Sequence, residues 1–309
     1  MSSWKATLFG KFNVEHDEIS RPRFDTRQVQ ELFGYLLLFW QHPQPREALI
    51  ETLWGDQPVG KARKKLRQTL WRLQSALGKQ ANAAGLDLLT DNEWIEIVLP
   101  AGFWLDTKEF ENIFNSINEK RIQELNMSDL QKMQHAANIY KGDLLEGWYP
   151  DWCIFERERF QIMHLLLLDK LVQFCELHQK YDSGLSYAMK ILRHDSAYER
   201  AHQQLMRLYY LSGNRTQALH QYERCVIALQ RGLDIEPSEK TKQLYETIRL
   251  DAFKPPLVVK EIVPSQTTSP SKPTLNGVLN RLEEVSETLR RLDQQIKEEI
   301  AKLGSVLST

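Results

Sequence analysis

The sequence holds only three cysteines, Cys153, Cys175 and Cys225, widely separated and without a C-x-x-C pair. An odd, scattered set excludes a disulfide framework and points to reduced thiols in a cytosolic protein. Long hydrophobic runs are missing too. The longest, LLLF at Leu36–Phe39 and LLLL at Leu165–Leu168, are far too short to span a bilayer, and the opening MSSWKATLFGKF lacks the apolar core of a signal peptide. The expected setting is therefore cytoplasmic, in association with the nucleoid, with no membrane partner. Overall charge is also lacking, since 40 basic residues are set against 41 acidic ones for a net charge of -1, so any attraction to nucleic acid must come from local asymmetry.

Catalytic constellations are equally scarce. Cys175 and His178 have a C-x-x-H spacing, but no second pair supplies the four ligands of a structural zinc. Glu156 and Glu158 alternate with Arg157 and Arg159, which suits ion pairs better than acid–base work, because nothing separates the two carboxyl pKa values. His135, His164, His194, His202 and His220 share no recurring partner. The reading is a non-enzyme without metal or cofactor.

What the chain does have is a concentrated stretch, GDQPVGKARKKLRQTLWRLQSAL, from Gly55 to Leu77. Gly55, Gly60 and Lys61 fit a phosphate loop, yet Ala62 stands where a hydroxyl must hold magnesium, and the preceding PREALIETLW has helical rather than strand spacing. The continuation is an amphipathic helix over 59–77. Ala62, Leu66, Leu70, Leu73 and Leu77 share one side, while Lys61, Lys64, Arg67, Gln68, Trp71 and Arg72 share the other. From Gly55 to Gln80, Lys61, Arg63, Lys64, Lys65, Arg67, Arg72 and Lys79 are opposed only by Asp56. Without interspersed acids there are no i,i+4 pairs to explain the charge as a solvated face. Cations with an aromatic and an amide suit a helix that holds phosphates and reads base edges.

The surrounding pattern is mainly α with a small β component. Residues 1–102 read as a winged helix: short strands around Phe9-Gly10 and Lys11–Val14, a helix RQVQELFGYLLLFWQH capped by Asp25 or Thr26 and stopped by Pro43, the helix PREALIETLW, the basic helix, and a hairpin of LDLLT and WIEIVL. In such an arrangement the third helix enters the major groove of double-stranded DNA. Lys61, Lys64 and Arg72 then serve phosphates, Arg67 and Gln68 read bases, Trp71 touches sugar or methyl, and Arg27 adds a backbone contact. Residues 103–250 are helical throughout. DSGLSYAMKIL from Asp182 and TQALHQYERCV from Thr216 align so that Gly184 matches Ala218 and Leu185 matches Leu219, a tetratricopeptide-like repeat, with an ordinary helical bundle as the alternative. Such a domain could hold a peptide or small ligand, with Tyr187, Tyr209, Tyr210 and Tyr222 lining it, and this signalling or scaffold role is the competing function. Residues 251–274 are a Pro/Ser/Thr-rich linker. In 275–309, Leu275, Leu282, Leu289, Ile296 and Leu303 recur every seventh residue, with Val278, Val285, Leu292, Glu299 and Val306 three positions further on. This pattern is a coiled coil for homo-oligomerisation or a single amphipathic helix docking on its own domain.

With these pieces placed, 8–250 resembles the bacterial transcriptional activator domain family, whose best-known members are the antibiotic regulatory protein activators. ARKKLRQTLWRLQSAL is similar to that family's recognition helix and LFGKF to its first strands. GDLLEGWYPDWCIFERERF and AHQQLMRLYYLSGNRTQALHQYERCVIALQRGLDIEPSEKTKQLYETI are similar to its helical domain. The resemblance implies a sequence-specific activator that binds promoter repeats and assists RNA polymerase. It also implies that the loop Trp54, Gly55, Asp56, Gln57 to Gly60 faces polymerase, so GDQPVGKA is a helix connection. No nucleotide-hydrolysing domain follows the helical one as it does in larger relatives, and the acidic tip Asp91-Asn92-Glu93 is unsuited to phosphate.

Overall fold

A computed structural model describes residues 4–17, 24–83 and 85–253. The linker from Lys254 onward and the seven-residue repeat with Leu275, Leu282, Leu289, Leu292, Ile296 and Leu303 lie outside the described residues.

Strand β1 (Trp4–Thr7) pairs antiparallel with β2 (Asn13–His16), placing Trp4 opposite His16 and Thr7 opposite Asn13. Helix α1 (Arg27–Leu38) begins where the Thr26 hydroxyl accepts the Val29 N–H at 3.4 Å, and it buries Val29, Leu32, Phe33, Leu36 and Leu37, a single helical stripe. The two-residue strand β3 (Gln44–Pro45) leads into α2 (Arg46–Trp54). Helix α3 (Val59–Ala83) leaves helical geometry at Gly78, whose φ of 69° is a left-handed value that glycine adopts freely, so its regular part ends beside Leu77. Strands β4 (Asp87–Thr90) and β5 (Trp94–Val98) form the expected hairpin, and β3 pairs with the other edge of β5 to give a sheet of order β3-β5-β4.

Strand β6 (Trp104–Leu105) returns to the first sheet and runs parallel to β1, with Ala6 opposite Leu105. The boundary read at 102/103 lies just before it. Seven helices follow: α4 (Asp106–Asn118), α5 (Met127–Ile139), α6 (Asp151–Leu177), α7 (Tyr181–His194), α8 (Glu199–Leu211), α9 (Arg215–Leu233) and α10 (Glu239–Arg249). The described part of the chain is thus mainly helical, with ten α-helices and two small sheets. The two aligned segments occupy α7 and α9. Their matched small residues, Gly184 and Ala218, are both buried, and a Cβ at Gly184 would lie 3.1 Å from Leu208 and 3.2 Å from Cys175. A larger residue there would push α7 off its neighbours.

One hydrophobic cluster runs from Trp4 to Leu208 across both halves of the chain. Phe9 stands at its centre, with ring centroids 5.5 Å from Phe110, 4.8 Å from Tyr140 and 5.2 Å from Phe160. The Asp106 carboxylate accepts the N–H groups of Leu8 (2.9 and 2.8 Å), Phe9 (2.8 Å) and Thr107 (2.8 Å), joining the end of β1 to the start of α4. Burial pushes that carboxyl up to about 6 against the pull of its donors. A second seam is the segment 142–150, where Gly10 N–H donates to Asp143 O, Leu145 N–H to Leu8 O and Glu146 N–H to Gly10 O. Arg157 on α6 holds this segment by donating to the carbonyls of Leu144 (3.0 Å), Leu145 (3.1 Å) and Trp148 (2.7 Å). The FERERF alternation therefore serves two ends: Arg159 pairs with Glu156 and Glu111, while Arg157 binds backbone.

His164 on α6 lies flat against Tyr140, centroids 4.1 Å apart, and its Nδ1 has no hydrogen-bond partner among the described residues. Burial, aided by His194 and Lys190, pushes it down to about 3. Unfolded histidine titrates near 6.5, so this group's contribution to stability is complete above about pH 6.5 and is lost as pH falls toward about 3. Asp106 acts in the opposite sense, its contribution present at low pH and lost as pH rises through about 6. His164→Phe keeps the stacking and removes the proton site. Between about pH 7 and about pH 4 the variant should gain about 3 kcal/mol on the wild type, read from urea denaturation at each pH. A difference that does not change with pH would mean the imidazole is charged inside the fold.

Candidate nucleic-acid interface

Helix α3 is fastened by a narrow apolar stripe. Ala62, Leu66, Thr69, Leu70, Leu73 and Leu77 are buried against α1, α2 and β4, which fixes the rotation of the helix about its axis. That rotation sends Lys61, Lys64, Arg67, Gln68 and Trp71 to the surface, with Trp71 67% exposed, and leaves Arg72 half-buried beside them. The stripe Lys64, Arg67, Gln68, Trp71 follows the 3- and 4-residue spacing of one helix face. Lys61, Lys64, Arg67 and Arg72 make no ion pair or side-chain hydrogen bond among the described residues, so their charge is unneutralised. A large exposed indole among free cations is a poor solvated surface and a good polyanion surface.

Two other residues expected on this interface are engaged elsewhere. Arg63 pairs with Glu47 of α2 at 3.0 Å, which spends part of its charge within the protein, although both groups remain exposed. Arg27 donates to Glu31 at 2.9 Å and to the Gly147 carbonyl at 3.2 Å, and its guanidinium lies 4.4 Å from the Trp148 ring centre. It ties α1 to segment 142–150 rather than standing free for a DNA backbone. Nearby, a Cβ on Gly34 would come within 3.0 Å of the Trp148 ring, so only glycine lets α1 seat there.

The connection between α2 and α3 is a turn closed by the Gln57 N–H to the Trp54 carbonyl at 3.1 Å. It follows a helix and not a strand, and Gly60 lies inside α3, so it is not a phosphate cradle. Of the four residues read as polymerase-facing, Trp54 is 4% exposed and packs in the core, which corrects its role to a support of the loop. Gly55 and Asp56 are exposed and Gln57 is half-buried.

The four tyrosines read as a ligand groove are half-buried, and each has a contact within the fold. Tyr187 accepts the Gln134 amide at 3.1 Å with Lys190 above its ring, Tyr222 stacks on Tyr245 at 4.2 Å, Tyr210 donates to Asp251 at 2.8 Å, and Tyr209 packs against the large cluster and against a smaller one of Met206, Ala218 and Ile248. The cysteines are buried, and burial pushes the Cys175 thiol up to about 11, while His178 lies over Phe174 at 4.1 Å. Among the described residues no group of three metal-binding side chains is gathered, and no helix is long and apolar enough to cross a membrane. Asp106 and Arg157 were not singled out by the sequence, because a helix-start acid and one arginine in an alternating charge run look ordinary in isolation.

If Arg27 is a structural tie, Arg27→Ala should lower stability by about 1 kcal/mol through the lost cation–π and hydrogen-bond contacts, while target-DNA affinity and its salt slope stay unchanged. Denaturant melts and anisotropy titrations at several salt concentrations decide this, and a flattened salt slope would return Arg27 to the DNA.

No curated protein matches the chain. Among solved structures, that of Mycobacterium tuberculosis EmbR in complex with a low affinity phosphopeptide matches over 81% of this chain with a TM-score of 0.66 and 18% sequence identity. At that identity the likeness is one of fold, and this chain spans 66% of the length of that one. Residues 105–249, from the last residue of β6 to the last of α10, match the family described as bacterial transcriptional activator domain. The helical part of the chain, residues 105–249, is thus a bacterial transcriptional activator domain.

Proposed function

We propose that the protein is a sequence-specific DNA-binding transcription activator in which α1, α2, α3 and the β3-β5-β4 sheet act as a winged helix. The observation that carries this reading is the exposed, unpaired stripe Lys61, Lys64, Arg67, Gln68 and Trp71 on α3, opposite a stripe anchored in the core. Laid in a major groove, such a helix directs Arg67 at guanine and Gln68 at adenine, with Lys61, Lys64 and Arg72 on phosphates and Trp71 on sugar or methyl. Arg63 contributes less, being shared with Glu47. Gly55 and Asp56 present the α2–α3 turn to RNA polymerase, stiffened from beneath by Trp54. Segment 142–150, held by Arg157 of α6, joins the winged helix to the helical domain, whose tetratricopeptide-like pairs α7/α8 and α9/α10 follow.

Arg67→Ala should cost about 1 to 3 kcal/mol on the best duplex and relax preference at one position. Lys64→Ala should weaken every duplex alike and reduce the salt slope by about one. The measurement is selection from a random duplex library followed by salt titrations of the best site against scrambled DNA. Equal losses on both duplexes for Arg67→Ala would remove it from base reading. For the tail, we propose that the seven-residue repeat joins copies of the chain, so that paired sites are held at high effective concentration. Removing 275–309 should then weaken binding to a two-site duplex about ten-fold or more and leave a one-site duplex unaffected, and equal effects on both would exclude the tail from the mechanism.

A further inference from the structure

The β3-β5-β4 sheet carries large apolar side chains on both faces. An antiparallel sheet with one covered face normally turns polar residues outward by alternation. Here Leu88, Ile95 and Ile97 are buried on the inner face, yet the outer face carries Leu89, 49% exposed, Trp94, 45% exposed, and Val98, 37% exposed. The strand register sets Leu89 beside Glu96, Asp87 beside Val98, and Pro45 beside Trp94. A groove of about 620 Å³ runs over this surface, lined by Pro43, Leu89, Thr90, Asp91, Trp94 and Glu96.

Carboxylates outnumber cations around the groove. Asp91 and Glu96 line it and Glu93 sits at the adjoining turn. The Asp91 carboxylate accepts the N–H groups of Glu93 and Trp94, each at 2.7 Å, and these bonds hold it below the usual carboxylate range. Arg46, the cation beside the turn, donates its Nε–H to the Asp91 carbonyl at 2.6 Å and its backbone N–H to the Glu93 carbonyl at 2.8 Å. The hairpin tip is therefore both rigid and anionic, and it repels a phosphate backbone while α3 attracts one. Exposed leucine and tryptophan rimmed by carboxylates complement a chain segment that alternates apolar and basic side chains.

We propose that the outer face of this sheet is a docking site for a cationic amphipathic segment of a partner protein, with its apolar residues on Leu89 and Trp94 and its Lys or Arg groups over Asp91 and Glu96. Taking RNA polymerase as the source of that segment rests on the regulatory reading above.

The test uses the full chain. Fluorescently labelled overlapping peptides that tile the polymerase subunits of the source bacterium are titrated with wild type, Glu96→Lys and Leu89→Ser, and anisotropy is read alongside affinity for the selected duplex. The expected result is that cationic amphipathic peptides bind the wild type, that each variant weakens them about ten-fold, and that duplex affinity stays within about two-fold. Glu96→Lys alters charge on the outer face of the central strand β5 without touching the inner core, so it remains informative if Leu89→Ser unfolds. Four outcomes would overturn the proposal: no peptide binds, both variants bind the peptides like wild type, Leu89→Ser weakens DNA instead, or the substitutions change the oligomeric state instead. Peptide binding without duplex selection would leave the docking site standing and remove the DNA reading, and the reverse result would do the opposite.

Discussion

The Asp106 carboxylate sits where β1 ends and the first helix of the family domain begins. Its oxygens satisfy the backbone N–H groups of Leu8, Phe9 and Thr107, which would otherwise be buried without partners. Holding Leu8 and Phe9 at that point puts the Phe9 ring among Phe110, Tyr140 and Phe160 and aligns Leu8 and Gly10 to exchange backbone hydrogen bonds with segment 142–150. That segment carries Trp148, on which Gly34 and Arg27 of α1 rest, and α1 is one of the elements that orient α3. The angle of the basic helix thus depends on a chain of contacts that starts at one desolvated acid.

The two surfaces of the N-terminal half divide the charge of a nearly neutral chain. Helix α3 gathers cations without acids, while the hairpin 91–96 gathers acids around exposed Leu89 and Trp94. Neither surface changes the net charge, yet each selects the opposite kind of partner. This separation gives one small unit room for a polyanion and a polycation at once, provided that each occupies its own face.

What the sequence made legible was periodic. The leucine stripe of α3, the Thr26 cap, the hairpin with its Asp91 turn and the helix pairs at α7 and α9 all follow from side-chain spacing and local bonding. Strands β3 and β6, each two residues long, left no alternation to detect, and their pairing is set by distant partners. The interface stripe on α3 was likewise visible as a pattern, whereas the diversion of Arg27 to Trp148 and of Arg63 to Glu47 depends on residues distant in sequence. Trp54 was misplaced for a related reason, since a helix-end tryptophan next to a glycine turn has the same local sequence whether it faces water or the core.

Trp148 packed against Gly34 has a consequence for how the molecule holds together. The cluster running from Trp4 to Leu208 offers no plane of weakness between the helix that carries the cations and the helical domain behind it. A cut near the junction would strip the indole from α1 and leave Phe9 and Phe33 facing water, so the two halves should melt as one cooperative body. A load applied to α7 or α8 therefore reaches the basic helix through rigid packing, not through a hinge.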